Sequence, residues 1–352
     1  MERTPGGSQT RSKAHHVFGG APFPKTLTWA MGTIVGNEEN SWTDWIAGLG
    51  AVGLGYGAVD HRVLEQIDLG VTFPLPTRLE EKVADDLCQL LHWPEQVRWV
   101  KTGSEATVAD MLIARRATGR RRVLSIGYHG WHEAHLPGPD LIDIPWGSPE
   151  WRRHLDGRVA AVLLEPMRDS HPPEDYLFGI QSRCRDVGAL LIMDEMVTGF
   201  RWAIGGACEY YKLVPDLACY GKALGNGWPI ACVVGPRRLM KYAVDVSSTF
   251  GGECAGLAAA EEVMRVYRTE RVCEKMWALG TRLMKACPAL TGWPVHPRFM
   301  GVGDYTTSDA NIPTVQAAAA RGHLIHPAGF NIMAAHTEAD VDNLAEAINA
   351  GV

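Results

Sequence analysis

The sequence contains no apolar run that approaches the length of a membrane-spanning helix. A helix needs about 20 consecutive apolar residues to cross a bilayer. The first twenty residues are polar and rich in Gly, Ser and Arg, without the apolar core of a secretory signal. We therefore expect no membrane contact and a cytoplasmic location.

The sequence also lacks an excess of basic residues, since its formal net charge is −6 at pH 7. Binding to nucleic acid requires Lys and Arg side chains that neutralise phosphates, so this charge argues against a general nucleic-acid binder. One basic cluster occurs, which we interpret as the solvated end of a helix and the turn after it. It consists of Arg115, Arg116, Arg120, Arg121 and Arg122.

Cysteine pairs of the Cys-x-x-Cys type are absent, although the chain has eight cysteines. Several of them lie in apolar stretches, which is typical of buried free thiols in a reducing compartment. His129, His132 and His135 have a spacing that metal ligands use, but no carboxylate partner accompanies them. We predict no metal site.

What the sequence does contain is an alternation of short apolar runs and helical patterns. Runs rich in Val, Ile and Leu without polar alternation are typical of strands that helices cover on both faces. This order predicts an α/β domain with a mostly parallel sheet. The runs occupy residues 96–100, 122–127, 159–164, 189–194, 217–221 and 230–235.

The chain of 352 residues is long enough for one large domain and a smaller one. Beyond residue 255 a long helical stretch is followed by a segment that Pro and Gly interrupt, and Thr337 marks the start of a last helix. We predict a flexible N-terminal arm at 1–41, a large domain at 42–254 and a smaller α+β domain at 255–352.

One glycine-rich segment, GLGAVGLGYG at 48–57, has the spacing of a dinucleotide-binding turn, and Asp68 follows where such a turn places an acid. The preceding segment has the alternation of a half-exposed strand, however, and the additional glycines disfavour the start of a helix. We predict that these glycines allow close backbone packing and do not bind a dinucleotide.

Ligands bind outside the carboxyl ends of parallel strands, so the residues after each apolar run are the most informative. The first run is followed by Gly103 and Ser104, at the start of a helix whose free N–H groups suit a phosphate. The alternative is that Ser104 is only the helix N-cap. The second run is followed by Tyr128, an aromatic side chain that can stack on a flat ligand.

The next runs end at Glu165, Asp194 and Lys222. A buried acid must be paired or hydrogen-bonded. Desolvation lowers the pKa of a strand-end lysine and makes its amine a nucleophile for carbonyls. Together with the phosphate turn and the aromatic, this set predicts a pyridoxal 5′-phosphate (PLP) site. Lys222 would form an imine with the cofactor aldehyde, and Asp194 would keep the pyridine nitrogen protonated.

The sequence resembles the class III, fold type I PLP-dependent aminotransferases, and within them the glutamate-1-semialdehyde aminomutase-like subgroup. The resemblance runs from about Trp42 to the C-terminus and implies the fold of that family. This is a mostly parallel central sheet with a smaller α+β C-terminal domain. It is strongest in KTGSEATVADMLIARRATGR (101–120), YHGWHE (128–133), GALLIMDEMVTGFR (188–201), PDLACYGKALGNGWPIACVVG (215–235) and SSTFGGECAGLAAA (247–260).

By position, the resemblance implies that Gly103 and Ser104 hold the cofactor phosphate and that Tyr128 covers the ring. It implies that Asp194 pairs with the ring nitrogen and that Lys222 is the Schiff-base lysine and proton shuttle.

The resemblance also implies that Met196 packs on the other ring face and that Glu165 is a supporting acid. Thr249 matches a threonine that reaches the phosphate of the neighbouring subunit, which implies a homodimer with shared active sites. His129 is predicted among the cofactor-binding residues. His129 and Trp131 are also candidates for lining the side of the site where the substrate binds.

The chain departs from the family in length, because the segments at 128–165 and 286–310 and the arm before residue 42 are short. These parts shape substrate access, so substrate identity does not follow from the resemblance. Arg201 and Arg298 are candidates for binding a carboxylate, and each is equally compatible with a structural ion pair.

The predicted function is amino-group transfer between an amine or amino-acid donor and a carbonyl acceptor, by a ping-pong mechanism. One alternative is an aminomutase of the glutamate-1-semialdehyde type, in which one molecule is both donor and acceptor. Another is a catalytically silent PLP-binding homologue. The presence of Lys222, Asp194, Tyr128 and Thr249 together argues against the silent homologue.

Overall fold

The computed structural model describes residues 3–168, 171–300 and 309–351. The chain divides into two compact units, one formed by Met1–Ala58 with Val272–Val352 and the other by Val59–Arg271. The predicted boundaries after residues 41 and 254 stay a prediction. Residues 301–308, within the segment that we expect to be shortened, lie outside the described residues.

The strands of the described residues are short, at two to six residues each. They are β1 (Trp29–Met31), β2 (Ile34–Gly36), β3 (Ser41–Asp44), β4 (Gln96–Val100), β5 (Arg122–Ile126), β6 (Leu141–Asp143), β7 (Val159–Leu164), β8 (Leu190–Asp194), β9 (Leu217–Tyr220), β10 (Ala231–Gly235), β11 (Leu290–Trp293), β12 (His296–Phe299) and β13 (His323–Leu324).

The α-helices of the same residues range from single turns to helices of 16 residues. They are α1 (Ala47–Gly50), α2 (Asp60–Leu69), α3 (Arg78–Leu91), α4 (Gly103–Thr118), α5 (Trp151–His154), α6 (Tyr176–Val187), α7 (Gly206–Tyr211), α8 (Arg237–Met240), α9 (Cys254–Thr269), α10 (Val272–Ala286), α11 (Ile312–Ala320) and α12 (Glu338–Asn349). None of these helices is long and apolar enough to cross a membrane.

The larger unit is built on a seven-stranded sheet with the order β4-β10-β9-β8-β7-β5-β6. The pairs from β9 to β6 are parallel, which confirms the predicted mostly parallel sheet. Strand β10 runs antiparallel to both of its neighbours, and this reversal was not predicted. Only residues 221–230 connect β9 to β10, and a parallel crossover needs a dozen or more residues.

The core of this unit lies between the sheet and helix α4. Every residue of β7 and β8 is buried, which explains why their sequences are continuously apolar. Helix α4 packs on β7, β9 and β10 with a face of small and aliphatic side chains. Helix α4 begins just after the carboxyl end of β4 and packs against one face of the sheet.

The smaller unit contains a four-stranded sheet with the order β1-β2-β3-β13. Strand β3 pairs in parallel with β13, so strands from the two ends of the chain share one sheet. Residues 29–36, in the predicted flexible arm, form β1 and β2 of this sheet. The predicted start of the last helix is confirmed, because Thr337 and Asp340 form a capping box at α12.

The glycine-rich segment at 48–57 lies in the smaller unit and forms no dinucleotide-binding turn. Residues 47–50 (α1) form a turn in which Gly48 and Leu49 have positive φ, so the turn is not a regular right-handed helix, and no helix opens at Gly53. Gly55 has φ +114°, and a Cβ there would lie 2.7 Å from the Cβ of Ala335. The prediction of close backbone packing is confirmed at this position.

Candidate active site

Most of the predicted site residues lie at one edge of the seven-stranded sheet. Strands β4, β5, β7, β8 and β9 point in the same direction, so their carboxyl ends meet there. The residues that follow these ends belong to the larger unit. They are Gly103, Ser104, Tyr128, His129, Glu165, Asp194, Met196 and Lys222.

The first turn of helix α4 provides free hydrogen-bond donors at this edge. Thr102 is the N-cap, and with Glu105 it forms a capping box, so Ser104 is not the cap. Within the described residues, the N–H groups of Gly103 and Ser104 and the Ser104 hydroxyl have no hydrogen-bond partner. Free donors and the helix dipole suit an anion such as a phosphate.

The loop after β5 packs tightly over the start of α4. Gly130 has φ +129°, and a Cβ at this position would lie 2.1 Å from Oγ of Ser104. Only glycine fits there without displacing the serine. The Ser104 side chain is therefore fixed between its own helix and this loop.

Asp194, at the end of β8, is buried and held by hydrogen bonds on both oxygens. Nδ1 of His129 lies 2.7 Å from Oδ2. Oδ1 accepts from the N–H of Met196 at 3.1 Å and from the thiol of Cys219 at 3.6 Å. His129 is thus buried against the carboxylate, and its Nε2 has no partner among the described residues.

Lys222 follows β9 in a left-handed backbone conformation, with φ +48°. A non-glycine residue held in this region is strained, as is common at functional sites. Burial lowers the pKa of the Lys222 amine, and the nearby Arg201 lowers it further. The carboxylates of Asp194 and Glu165 act in the opposite direction. The net direction favours the neutral amine, which is the nucleophilic form.

Glu165, at the end of β7, accepts the N–H of Tyr128 at 3.0 Å and pairs with Arg168 at 3.1 Å. The carboxylate therefore anchors the backbone that carries the aromatic side chain. The supporting role that the resemblance implies for Glu165 stays a prediction.

The predicted ring-covering residues differ in exposure. Tyr128 is 65% exposed, and Trp131 on the same loop is exposed as well. Met196 is buried, and its sulfur lies 3.0 Å from the position of a Cβ on Gly103 and 2.7 Å from one on Gly221. Glycines at both positions therefore make room for the thioether beside the start of α4 and next to Lys222.

Three predicted residues do not directly follow one of these strands in the sequence. Thr249 is exposed in the turn before α9, and no hydrogen bond of the described residues joins it to the strand-end group. Arg201 is fully buried in the loop after β8. Arg298 is buried on β12, in the smaller unit.

Residues that the sequence did not single out hold the predicted ones in place. The hydroxyl of Thr107 contacts the carbonyl of His129 at 2.8 Å and Nε2 of His135 at 2.9 Å. The second contact occupies a His135 nitrogen that a metal would need, and the described residues contain no group of three or more side chains that could hold a metal ion. Asp110 was also missed, although a carboxylate on the apolar face of a helix is a readable signal.

The family model for class-III aminotransferases matches residues 150–337. The chain is 30% identical to glutamate-1-semialdehyde 2,1-aminomutase of Natranaerobius thermophilus over 66% of its own length and 63% of that protein. It is 31% identical to the enzyme of the same name from Natronomonas pharaonis, over 72% of this chain and 65% of that protein. The alignments thus cover less than two thirds of these relatives.

Two solved structures are similar over nearly the whole chain. The FumI protein of Sphingopyxis sp. MTA144, solved with PLP, has a TM-score of 0.85 and 26% identity, over 94% of this chain and 89% of that one. An omega-transaminase from Sphaerobacter thermophilus has a TM-score of 0.85 and 22% identity, over 99% of this chain and 94% of that one. The predicted fold class is confirmed.

Proposed function

The chain belongs to the class-III aminotransferases, and from this membership we propose that it is a PLP-dependent aminotransferase. It would move an amino group from a small amine or amino-acid donor to a carbonyl acceptor in two half-reactions. One observation carries the proposal. An amine of lowered pKa, a buried carboxylate and a helix start with free donors lie together at one sheet edge.

The residues present fit PLP. The free N–H groups of Gly103 and Ser104 suit its phosphate, the carboxylate of Asp194 suits its ring nitrogen, and the amine of Lys222 suits its aldehyde. When bound, PLP supplies a carbonyl that condenses with amines and a ring that accepts electrons.

Lys222 has two tasks in this proposal. Its neutral Nζ would hold the cofactor through the aldehyde carbon, and when a donor amine takes that place, the freed Nζ would carry a proton from the donor carbon to a carbon of the cofactor. Burial assists both tasks, because it lowers the pKa and so increases the fraction of unprotonated amine at neutral pH.

The carboxylate of Asp194 would pair with the ring nitrogen. Donors from His129, Met196 and Cys219 restrain the carboxylate, so it does not have to reorganise during the reaction. We assign His129 to this restraint, since its Nδ1 faces Asp194 directly. Tyr128 would cover the ring, Met196 would contact its other face, and Glu165 would anchor the Tyr128 loop.

The function is tested by following cofactor absorbance with one substrate at a time. We expect a donor amine alone to change the spectrum once, with release of one carbonyl product per site. A carbonyl acceptor should restore the original spectrum with release of an aminated product. A protein whose spectrum no donor amine changes, after a broad screen, would contradict the proposal.

A second candidate is an aminomutase, because the two curated relatives carry the name glutamate-1-semialdehyde 2,1-aminomutase. In that reaction one molecule is both donor and acceptor, so no free carbonyl product accumulates and no second substrate is needed. The assay above separates the two functions by the presence or absence of a released carbonyl product.

We also propose that the protein is a homodimer with shared active sites. The larger unit exposes a group of large apolar side chains on α2, the segment after it and the turn before α9. The backbone of Cys254 hydrogen-bonds that of Val71, which joins the last two regions. Exposed apolar groups of this kind mark interaction surfaces. They are Leu64, Leu69, Phe73, Leu75 and Phe250.

Thr249 allows the shared site to be tested by complementation. We expect Thr249→Ala to weaken PLP binding by about 10- to 100-fold, the loss of one hydrogen bond to a charged group. Exposed Ser247, two residues away, is the matched control, and Ser247→Ala should leave the affinity unchanged. Affinity is measured by equilibrium dialysis.

Mixed dimers decide which copy supplies Thr249. A heterodimer of a Lys222→Ala copy and a Thr249→Ala copy contains one fully wild-type site only if Thr249 reaches across the interface. We expect such mixtures to recover tight PLP binding and activity. No recovery in heterodimers whose formation is verified would place Thr249 in its own subunit's site or outside any site.

The cysteines support a cytoplasmic location, which we propose as well. None of the eight cysteines, all within the described residues, forms a disulfide bond, and seven of them are buried. Free buried thiols are typical of proteins that reside in a reducing compartment.

A further inference from the structure

Thr249 lies in a turn that packs closely against the end of β4. The turn covers residues 249–252, just before the start of α9. A Cβ on Gly251 would lie 2.8 Å from the carbonyl oxygen of Trp99, and one on Gly252 would lie 2.5 Å from Cδ of Glu80. Glycine at both positions therefore lets the turn pack directly on β4 and on the first turn of α3.

An ion pair joins the residue after this turn to the residue after β4. Nζ of Lys101 donates to Oε2 of Glu253 at 2.7 Å and to the carbonyl oxygen of Glu253 at 3.4 Å. Both side chains are largely buried, with exposures of 13% and 14%. Removing one partner of a buried ion pair is strongly destabilising, so this pair fixes the end of the turn to the end of the strand.

Glu253 is also the N-cap of α9. Its Oε1 accepts the N–H of Ala255 at 2.7 Å, and its Oε2 accepts that of Gly256 at 3.1 Å. Burial acts to raise the pKa of the Glu253 carboxyl, but Lys101 and these N–H groups outweigh it and hold the pKa below its usual value. The carboxylate is therefore restrained by α9 and by Lys101 together, directly after the turn that carries Thr249.

The backbone of Lys101 is fixed to the start of α4. Its N–H donates at 2.9 Å to Oε2 of Glu105, the same oxygen that accepts the N–H of Thr102 in the capping box. Because Glu253 neutralises the Lys101 ammonium at 2.7 Å, this lysine is not a free cation for an anion bound at α4 of its own copy. Its charge instead acts on the turn at 249–252.

We propose that Lys101 and Glu253 are positioning residues for Thr249 and that they act on the active site of the neighbouring copy. The ion pair holds the turn at 249–252 in one position, from which exposed Thr249 meets the phosphate of the PLP bound by the partner. A contact that is held ready before binding costs less ordering when the ligand arrives. The inference rests on the shared active sites of the proposed function.

The test uses full-length heterodimers in which one copy carries Lys222→Ala, so only the other copy can attach PLP at Lys222. The copies carry different affinity tags, and attached PLP is measured after borohydride reduction over a range of PLP concentrations. With Lys101→Met in the Lys222→Ala copy, we expect the affinity of the intact copy to fall about tenfold. This is part of the about 10- to 100-fold value of a hydrogen bond to a charged group. With Lys101→Met in the intact copy instead, its affinity should be unchanged.

A double variant separates positioning from a general loosening of the structure. In the Lys222→Ala copy, adding Lys101→Met to Thr249→Ala should weaken the affinity no further than Thr249→Ala alone. A side chain that is absent cannot be mispositioned, so the two effects should not add. Further weakening would overturn the positioning role. Glu253→Gln keeps an oxygen for the N-cap of α9, and it should reproduce these results if Lys101→Met does not fold.

Lys82→Met is the matched control, because Nζ of Lys82 also pairs with a carboxylate on α9, that of Glu261 at 2.7 Å. It should change the affinity in neither arrangement. An equal loss with Lys101→Met in either copy, or no loss in both arrangements, would overturn the inference.

Thr249→Ala in the Lys222→Ala copy tells failure of this inference from failure of the proposed function. If Thr249→Ala leaves the affinity of the intact copy unchanged, the shared site itself is wrong. If Thr249→Ala weakens it and Lys101→Met does not, the shared site stands and the positioning pair alone is rejected.

Discussion

Replacing Lys222 with alanine is expected to lower the rate of amino-group transfer by about 10⁴-fold or more. Loss of general acid–base catalysis alone removes about 10²–10⁴. The substitution also removes the amine that attaches the cofactor. The rate is measured in single-turnover mixing with a donor amine, and PLP affinity is measured separately so that lost binding is not mistaken for lost chemistry.

The exposed Lys241 is the matched control, because it lies in the same unit and Lys241→Ala makes the same truncation of a lysine side chain. That variant should retain wild-type rates. Adding a small primary amine to Lys222→Ala should restore part of the rate, since free amine replaces Nζ as the proton carrier. Wild-type activity in Lys222→Ala would contradict the assignment.

Replacing Asp194 with asparagine is expected to have the second largest effect, a decrease in kcat/KM of about 10²–10³-fold. The amide retains the shape but not the charge, so it no longer stabilises a positive ring nitrogen. Losing one member of a buried charge pair costs about 2–5 kcal/mol. His129 would also lose its carboxylate partner at 2.7 Å.

A cofactor analogue with a methylated ring nitrogen separates these two causes. It carries a permanent positive charge, so it should recover much of the lost rate in Asp194→Asn if the carboxylate acts by keeping the ring protonated. Exposed Asp68 provides the control, and Asp68→Asn should be indistinguishable from wild type. An unimpaired Asp194→Asn enzyme would contradict the role of this carboxylate.

The strands and their chemistry-bearing ends were largely predictable from the sequence. The apolar runs are buried on both faces, so composition alone indicates the parallel strands, and the residue after each run falls at the ligand-binding edge. The antiparallel β10 was missed because its own sequence is as apolar as that of a parallel strand. Only the shortness of the connection from β9 to β10 indicates that β10 is antiparallel.

The contacts that position the site were not predictable, because they join residues far apart in the chain. The pairing of His129 with Asp194 spans 65 positions, and the contact of Thr107 with His129 spans 22. Their geometry follows from how α4 and the loop after β5 pack on the sheet. The pairing of β3 with β13 is similarly non-local, and it links the first strands to the C-terminal segment.

The central claim is that Lys222 is the residue to which the cofactor attaches. The protein is incubated with PLP, reduced with borohydride and digested, and the peptides are analysed by mass spectrometry. The account predicts one added cofactor per chain, on the peptide that contains Lys222. A cofactor on a different lysine, or no cofactor on any peptide, would contradict it.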